Sequence, residues 1–302
     1  GHGAPQAYKV SATYADGYRA GQVWTMYGRD ADTKAGQLAR LVFERTAMVL
    51  DAMGLPPLSE TSVEVVGAES HYGAAREVGP VREVDVKIAA KHPSAKGVAV
   101  FLKEMVGMAL TAPPGLSGFA GARPKPSPVV RLFSMLVPKQ DVAVTVETTA
   151  GSASITPHSG AVFDPAAIVR PALAETPSSA DMVEVALESL AWGRSGDKGD
   201  KANIGVIARH PDFLPWIARS VTEQRVAQFF AHFLEPGQAR PVERFLMPGP
   251  PAFNFLLHEV LGGGGVASLR IDAQGKGYAQ LLLGLPVAVP AELARQHMLA
   301  IL

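Results

Sequence analysis

The chain has 302 residues, 47% of them hydrophobic and 19% charged, with 28 basic side chains against 28 acidic and no cysteine. That length supports two ordinary domains, and the balance describes a globular protein without the clustered basic face that nucleic acid requires. The missing cysteines exclude disulfides, zinc–thiolate sites, iron–sulfur clusters and cysteine nucleophiles, and no apolar run reaches the roughly 20 residues of a membrane-spanning helix.

The first residue is Gly1 and the opening Gly-His-Gly-Ala-Pro has no signal-peptide character. It reads as mid-protein loop, so a processed or partial chain is expected, and a cytosolic one. Residues 8–14 alternate and are rich in strand formers, predicting a strand, with a turn over 15–19. Residues 32–53 predict a helix with Leu38, Leu41, Val42, Val49 and Ala52 inward and Gly54 as its stop. Strands are expected at 62–66 and 81–90. Ser94 is placed to cap a helix whose apolar face is Val98, Phe101, Leu102, Met105 and Met108. A glycine- and proline-rich loop, 112–128, carries Arg123 and Lys125, and strands follow at 129–137 and 141–148. The order β-α-β-β-α-β-β predicts an antiparallel or mixed α+β sandwich for residues 1–150.

Residues 151–181, rich in Ala, Ser and Pro, predict a linker with one helical turn at 165–171. A second domain is expected over 182–302. It would open with a strand (183–190), a polar loop (193–203) and a buried strand (204–208). Ser220 and Glu223 stand at capping-box spacing before a helix whose face is Val226, Phe229, Phe230 and Phe233, ended by Pro236-Gly237. A strand is predicted at 240–247. A helix opened by Pro250-Pro251 would place Phe253, Leu256, Leu257 and Val260 inward and stop at Gly262. Glycines 262–265 read as a flexible hinge, 267–271 with 278–285 as a hairpin, and 292–302 as a terminal helix. Two α+β sandwich domains result, the second resembling a ferredoxin-like sandwich.

The densest chemistry lies in Gly193-Arg-Ser-Gly-Asp-Lys-Gly-Asp-Lys-Ala-Asn203. Its glycines can expose backbone N–H groups and cradle a phosphate or carboxylate. Lys198 and Lys201 add positive charge, Arg194, Ser195 and Asn203 add donors, and Asp197 or Asp200 could act as a general base if partly buried. The alternative is a decorated loop whose aspartates cap nearby backbone. The pattern is not a P-loop, since G-x-x-x-x-G-K-[ST] is missing. Nor is it an EF-hand or a nucleophile elbow, because the ligand spacing and the second glycine are wrong. Outside this stretch, Tyr8, Lys9 and Arg19 concentrate hydroxyl and charge on the first strand. Asn254 and the tip residue Lys276 are further ligand candidates. The eight histidines form no metal pair at i, i+2 or i, i+4, and His258-Glu259 lacks the second histidine of a zinc-protease motif. No metal site and no cofactor is indicated.

Four segments together resemble the acyclic terpene utilisation AtuA family: Tyr8 to Arg19, Gly121 to Arg131, Arg194 to Arg209, and Asp272-Ala-Gln-Gly-Lys276. The resemblance implies catabolism of acyclic terpenoids such as citronellol and geraniol through coenzyme A thioesters in bacteria. It implies a ferredoxin-like C-terminal module and, by suggestion, a hydratase or carbon–carbon lyase step on a branched acyl-CoA or acid. In that scheme Asp197, Asp200 and Lys198 are catalytic. Arg194, Ser195, Lys201, Asn203, Asn254, Lys276, Tyr8, Lys9 and Arg19 bind substrate. The family's longer N-terminal region is missing before Tyr8. The expected partner is a small acidic or CoA-linked molecule, with no nucleic acid and no membrane, and homo-oligomerisation left open. The competing expectation is a non-catalytic binding or assembly module.

Overall fold

A computed structural model describes residues 4–119, 121, 123–158, 160, 164–169, 171–172 and 181–302. The first half is built on β1 (Ala7–Tyr27), a strand of 21 residues where a short strand and a turn were expected. Asp16 and Gly17 form a bulge, not a turn. The register shifts between Ala15 and Tyr18, and Gly17 takes φ 78° with its Cα packed against the His92 carbonyl, where a Cβ would collide. A bulge absorbs the extra residues and lets pairing continue on both sides.

β1 pairs antiparallel with β3 (Glu83–His92), which pairs with β2 (Glu60–Val66). On its other edge it takes β4 (Leu116–Ser117) at Thr25–Met26 and β5 (Ser127–Pro138) from Arg19 back to Ala7. One face is covered by α1 (Ala31–Ala52) and α2 (Ala95–Ala109). Ser94 caps α2 as expected, accepting from the Gly97 N–H at 3.3 Å. The buried stripe of α1 is Ala31, Ala35, Leu38, Ala39, Val42, Thr46 and Leu50, rotated from the expected one so that Ala52 is exposed. The small alanines allow close approach, and the buried Thr46 hydroxyl is satisfied by donating to the Val42 carbonyl at 2.7 Å. Residues 151–155, expected as linker, form β7 (Gly151–Ile155) in a hairpin with β6 (Val144–Thr148). Of the remaining linker prediction, 159, 161–163, 170 and 173–180 lie outside the described residues, as do 1–3 of the expected opening loop and 120 and 122 of the 112–128 loop.

In the second half, the expected strand over 183–190 divides into β8 (Met182–Ala186) and a helical turn, α3 (Leu187–Leu190). The polar stretch 193–203 is not a loop. It forms β9 (Ala191–Lys198) and β10 (Lys201–Ala208), joined by Gly199-Asp200. After α4 (Leu214–Ser220) comes α5 (Glu223–Phe229), capped by Thr222 instead of Ser220, its hydroxyl accepting from the Arg225 N–H at 3.2 Å. β11 (Val242–Leu246) is followed by β12 (Ala252–Leu257) where a helix was expected. Phe253, Phe255 and Leu257 are buried at period two, and short apolar runs of this kind satisfy both periods until pairing decides. The expected hairpin is also overturned: 267–271 is turn, and Tyr278–Leu283 is helix α6, with Tyr278, Ala279, Leu282 and Leu283 buried. β13 (Pro286–Pro290) pairs with β8, and α7 (Ala291–Gln296) is shorter than predicted.

The four-stranded sheet β11-β12-β10-β9 is antiparallel throughout. Its inner face joins α4, α5 and α6 in one core around Ile204, Val206, Phe230, Phe253, Phe255 and Tyr278. Helices and antiparallel sheets segregate in both halves, which makes the chain α+β. Among the described residues no helix is long and apolar enough to cross a membrane.

Candidate functional site

The β9–β10 hairpin turns on Gly199, whose φ of 71° at the first central position suits a two-residue hairpin. Alternation then sends Arg194, Lys198 and Lys201 to solvent and buries Ser195, Ala202, Ile204 and Val206. The Ser195 hydroxyl accepts from the Ala279 N–H at 2.9 Å and donates to the Lys276 carbonyl at 3.2 Å, so it caps α6 from a neighbouring strand. Asp200 accepts from the Gly263 N–H at 2.8 Å on its carboxylate and from the Val260 N–H at 3.1 Å on its carbonyl. Asp197 faces Lys276 across 3.6 Å, and Lys198 donates to the Asp197 carbonyl at 2.8 Å. The structure brings Asn203 and Asn254 together, the Asn203 amide donating to the Asn254 side-chain oxygen at 3.1 Å. Tyr8 and Lys9 stand apart from all of these, on the ribbon formed by the start of β1 and the end of β5.

Glycines 262–265 are not a hinge. Gly262, Gly263 and Gly264 all hold positive φ, and Gly264 packs against the Gly199 carbonyl. Held there, the chain carries 265–273 onto the outer face of the first sheet. Arg19 donates to the Ser268 carbonyl at 2.5 Å. Lys87 donates to the Leu269 carbonyl and to Glu64, and Glu64 also accepts from the Ile271 N–H at 3.0 Å. His71 contacts Glu64 at 2.9 Å, and His232 reaches the His71 carbonyl at 2.8 Å.

Between these partners lies a cavity of about 590 Å³, lined by Arg19, Lys87, Lys125 and Arg270 together with Gly21, Gly265 and Ser268. A second cavity of about 560 Å³ shares Gly21, Gln22, Val23 and Pro124 with it, and adds Leu102, Val106, Phe119 and Arg123. The shared wall is an edge of β1. β4 takes this edge at Thr25 and Met26, β5 at Arg19 and before, and among the described residues the stretch 20–24 has a strand partner only on the β3 side. The site therefore combines a cationic chamber, a largely apolar one rimmed by Lys103 and Arg123, and the backbone edge they share. Of the residues expected to bind substrate, Arg19 lines this cleft. The β9–β10 side chains, Asn254, Lys276, Tyr8 and Lys9 line neither cavity.

Burial pushes the Lys87 ammonium below its usual range, as do Arg19 and Arg270, while Glu64 opposes the shift. Glu64 is itself buried, which acts to raise its pKa. His71, Lys87 and the Ile271 N–H overcome that effect and hold the carboxyl down at about 2. Arg270 is fixed by the Val260 and Phe233 carbonyls and lies 4.9 Å from the centre of the Phe233 ring. Lys125 and Arg123 have no ion-pair or hydrogen-bond partner among the described residues. A carboxylate or phosphate entering here would meet several cations, most of them already positioned.

Sequence inspection missed Glu64, Lys87 and Arg270. The available signal was a charge inside each apolar strand. Glu64 interrupts Val63-Glu-Val-Val66 and Lys87 interrupts Val86-Lys-Ile88; they sit directly opposite in the β2–β3 register.

Residues 1–148 match the family described as acyclic terpene utilisation family protein AtuA, and residues 185–288 match the AtuA ferredoxin-like domain. No curated protein and no solved structure matches the chain.

Proposed function

From the chain's place in the acyclic terpene utilisation AtuA family, to which it belongs, we propose that the cleft binds an acidic or coenzyme A-linked acyclic terpenoid. Membership points to acyclic terpene utilisation; the ligand, its pose and its chemistry are our assignment. The observation that carries it is the convergence of Arg19, Lys87, Lys125 and Arg270 on one chamber that shares a wall with the second, beside Leu102, Val106 and Phe119. The anionic end of the ligand lies against the cations and the branched hydrocarbon along the apolar wall. The free β1 edge suits the amides of a pantetheine arm, which can pair with backbone as an added strand does.

The reaction we assign is hydration or carbon–carbon cleavage of the branched acyl group. Lys87 is the group best placed to move a proton. It lines the cavity, two of its three donors are engaged, and burial lowers its pKa from the usual lysine range while Glu64 opposes that shift. The originally expected acid–base residues, Asp197 and Asp200 with Lys198, would act in this scheme only by shaping the hairpin that holds the cleft's loop.

The test is calorimetric titration of the whole chain with citronellic acid and with its coenzyme A thioester. Lys125 is exposed and has no partner among the described residues, so Lys125→Ala should leave the fold intact while removing one charge-assisted contact. That contact is worth about 1.5–3 kcal/mol, or roughly a tenfold to hundredfold loss of affinity. Binding equal to the parent's by both Lys125→Ala and an Arg123→Ala/Lys125→Ala double variant would remove the proposal.

A second reading, an assembly module, is favoured by the β1–β5 ribbon. Phe133 is 55% exposed and Leu136 74%, and Leu132 and Met135 are exposed beside them, an apolar surface of the kind found at interfaces. Sedimentation analysis distinguishes the readings: a monomer that binds the thioester excludes the second.

A further inference from the structure

Outside the lining of the cleft, His210, Asp212 and His297 each offer a ligand-capable atom, and these atoms lie within 4.8 Å of one another. We propose that this trio is a binding site for a divalent transition ion, with Zn²⁺ the best chemical match. Two imidazole nitrogens and one carboxylate oxygen are ligands that zinc accepts, with water in the fourth position. Tetrahedral bonds of about 2.0–2.1 Å place ligand atoms roughly 3.4 Å apart, so atoms as far apart as 4.8 Å close by roughly 1.4 Å on binding. His210 and Asp212 are exposed enough to make that adjustment by side-chain rotation.

Two independent features point to a ligand. First, His297 Nε2 is buried without a hydrogen-bond partner among the described residues, an unfavourable state for a polar group. A bound ion, or the small movement that admits one, satisfies it. Second, the backbone around each histidine is already fixed. His297 ends α7 in a Schellman-type cap, with the Leu299 N–H bonded to the Ala294 carbonyl at 2.9 Å, the Met298 N–H to the Arg295 carbonyl at 3.2 Å, and Met298 at φ 52°. The His210 ring lies beside Asp212, its Nδ1 3.4 Å from the carboxylate, and the hydrogen bond that Nδ1 accepts from the Asp212 N–H at 3.3 Å is given up when the ring binds the ion. The His210 and His297 ring centroids are 4.8 Å apart, and Phe213 packs edge-on against His297 at 4.6 Å. The two histidines are distant in sequence, so no local metal-ligand spacing announces them. The bound ion would pin the C-terminal segment from His297 onward to the turn after β10.

The experiment is equilibrium dialysis of the tag-free whole chain against Zn²⁺ with metal analysis. It is paired with Co²⁺ loading read by visible absorption and with limited proteolysis of the C-terminal segment. One equivalent should bind, Co²⁺ should show the d–d bands of a low-coordinate nitrogen–oxygen site, and Zn²⁺ should slow C-terminal cleavage. His210→Ala and His297→Gln should each weaken binding at least tenfold while far-UV circular dichroism stays unchanged. Asp212→Asn should weaken it less. Unchanged stoichiometry and affinity in His210→Ala/His297→Gln, or no saturable binding by the parent chain, would overturn the proposal.

Discussion

Glu64→Gln tests how the two halves are joined. The carboxylate of Glu64 faces Lys87, His71 and the Ile271 N–H, with Arg19 and Arg270 close to Lys87. Its side chain is 8% exposed and that of Lys87 14%, so solvent screens the pair weakly. The drop from the ordinary 4.5 to about 2, at 1.36 kcal/mol per pH unit, corresponds to about 3 kcal/mol of stability. This agrees with the roughly 3–5 kcal/mol seen when one partner of a buried ion pair is removed. The folded pKa is depressed, so the stabilisation is complete above about pH 4.5 and is lost as pH falls toward 2. By pH 3 roughly half of it is gone. Urea unfolding followed by tryptophan fluorescence measures this directly, because Trp24 and Trp216 are buried in the first and second cores. The parent and Glu64→Gln curves should differ by about 3 kcal/mol at pH 7 and converge as pH is lowered. A difference below about 1 kcal/mol at pH 7, or one that persists undiminished at pH 3, would refute the assignment of Glu64 as the anchor between the two halves.

Other residues give sharper local outcomes. Ser195→Ala should cost about 1–2 kcal/mol, the value of a helix cap, and lower the melting temperature by a few degrees while leaving thioester affinity unchanged; loss of binding with unchanged stability would restore Ser195 to the ligand site. Gly264→Ala places a Cβ about 2.9 Å from the Gly199 carbonyl at φ 85°, a strain of about 1–3 kcal/mol. Amide hydrogen exchange should then accelerate at Ser268–Ile271, and unchanged protection there would show that the glycine loop does not hold that segment. The Tyr278 phenol, pushed by burial up to about 12, should be a late-ionising tyrosine in an alkaline absorbance titration. Tyr278→Phe should remove that late phase, and persistence of the phase would place it elsewhere.

Local chemistry made the first half largely legible. Ser94 at a helix start, Gly54 past a helix end, and alternation at 62–66 and 81–90 each act within a few residues, so sequence alone locates them. The errors share a cause. Phe253, Leu256 and Leu257 fit a helical face as well as a strand face, and the choice fell to the strands that sandwich β12, of which β10 lies far away in sequence. Tyr278–Leu285 looked like a strand, yet the Ser195 hydroxyl on β9 caps the start of the α6 helix. The long β1 was cut short because Asp16-Gly17 is equally good chemistry for a turn and for a bulge, and only the partner strands decide. For the site, ionisable density among glycines drew attention to the hairpin. The cleft is instead assembled from single charges on four separated segments, a pattern with no local signature.

The polar hairpin still matters to the cleft, by an indirect route. Gly199 lets β9 and β10 turn in two residues, and Asp200 then spends its carboxylate on the Gly263 N–H. That bond sets the glycine loop in positive φ and delivers the Ser268 and Leu269 carbonyls to the outer face of the first sheet, where Arg19 and Lys87 take them. A carbonyl fixes a cation's position without cancelling its charge. Four cations line the chamber, and Glu64 is the one carboxylate bonded to any of them among the described residues, so the cleft keeps a net positive field although the chain as a whole has none. Two carboxylates in place of those two carbonyls would have joined the halves as firmly and left nothing to attract an anion.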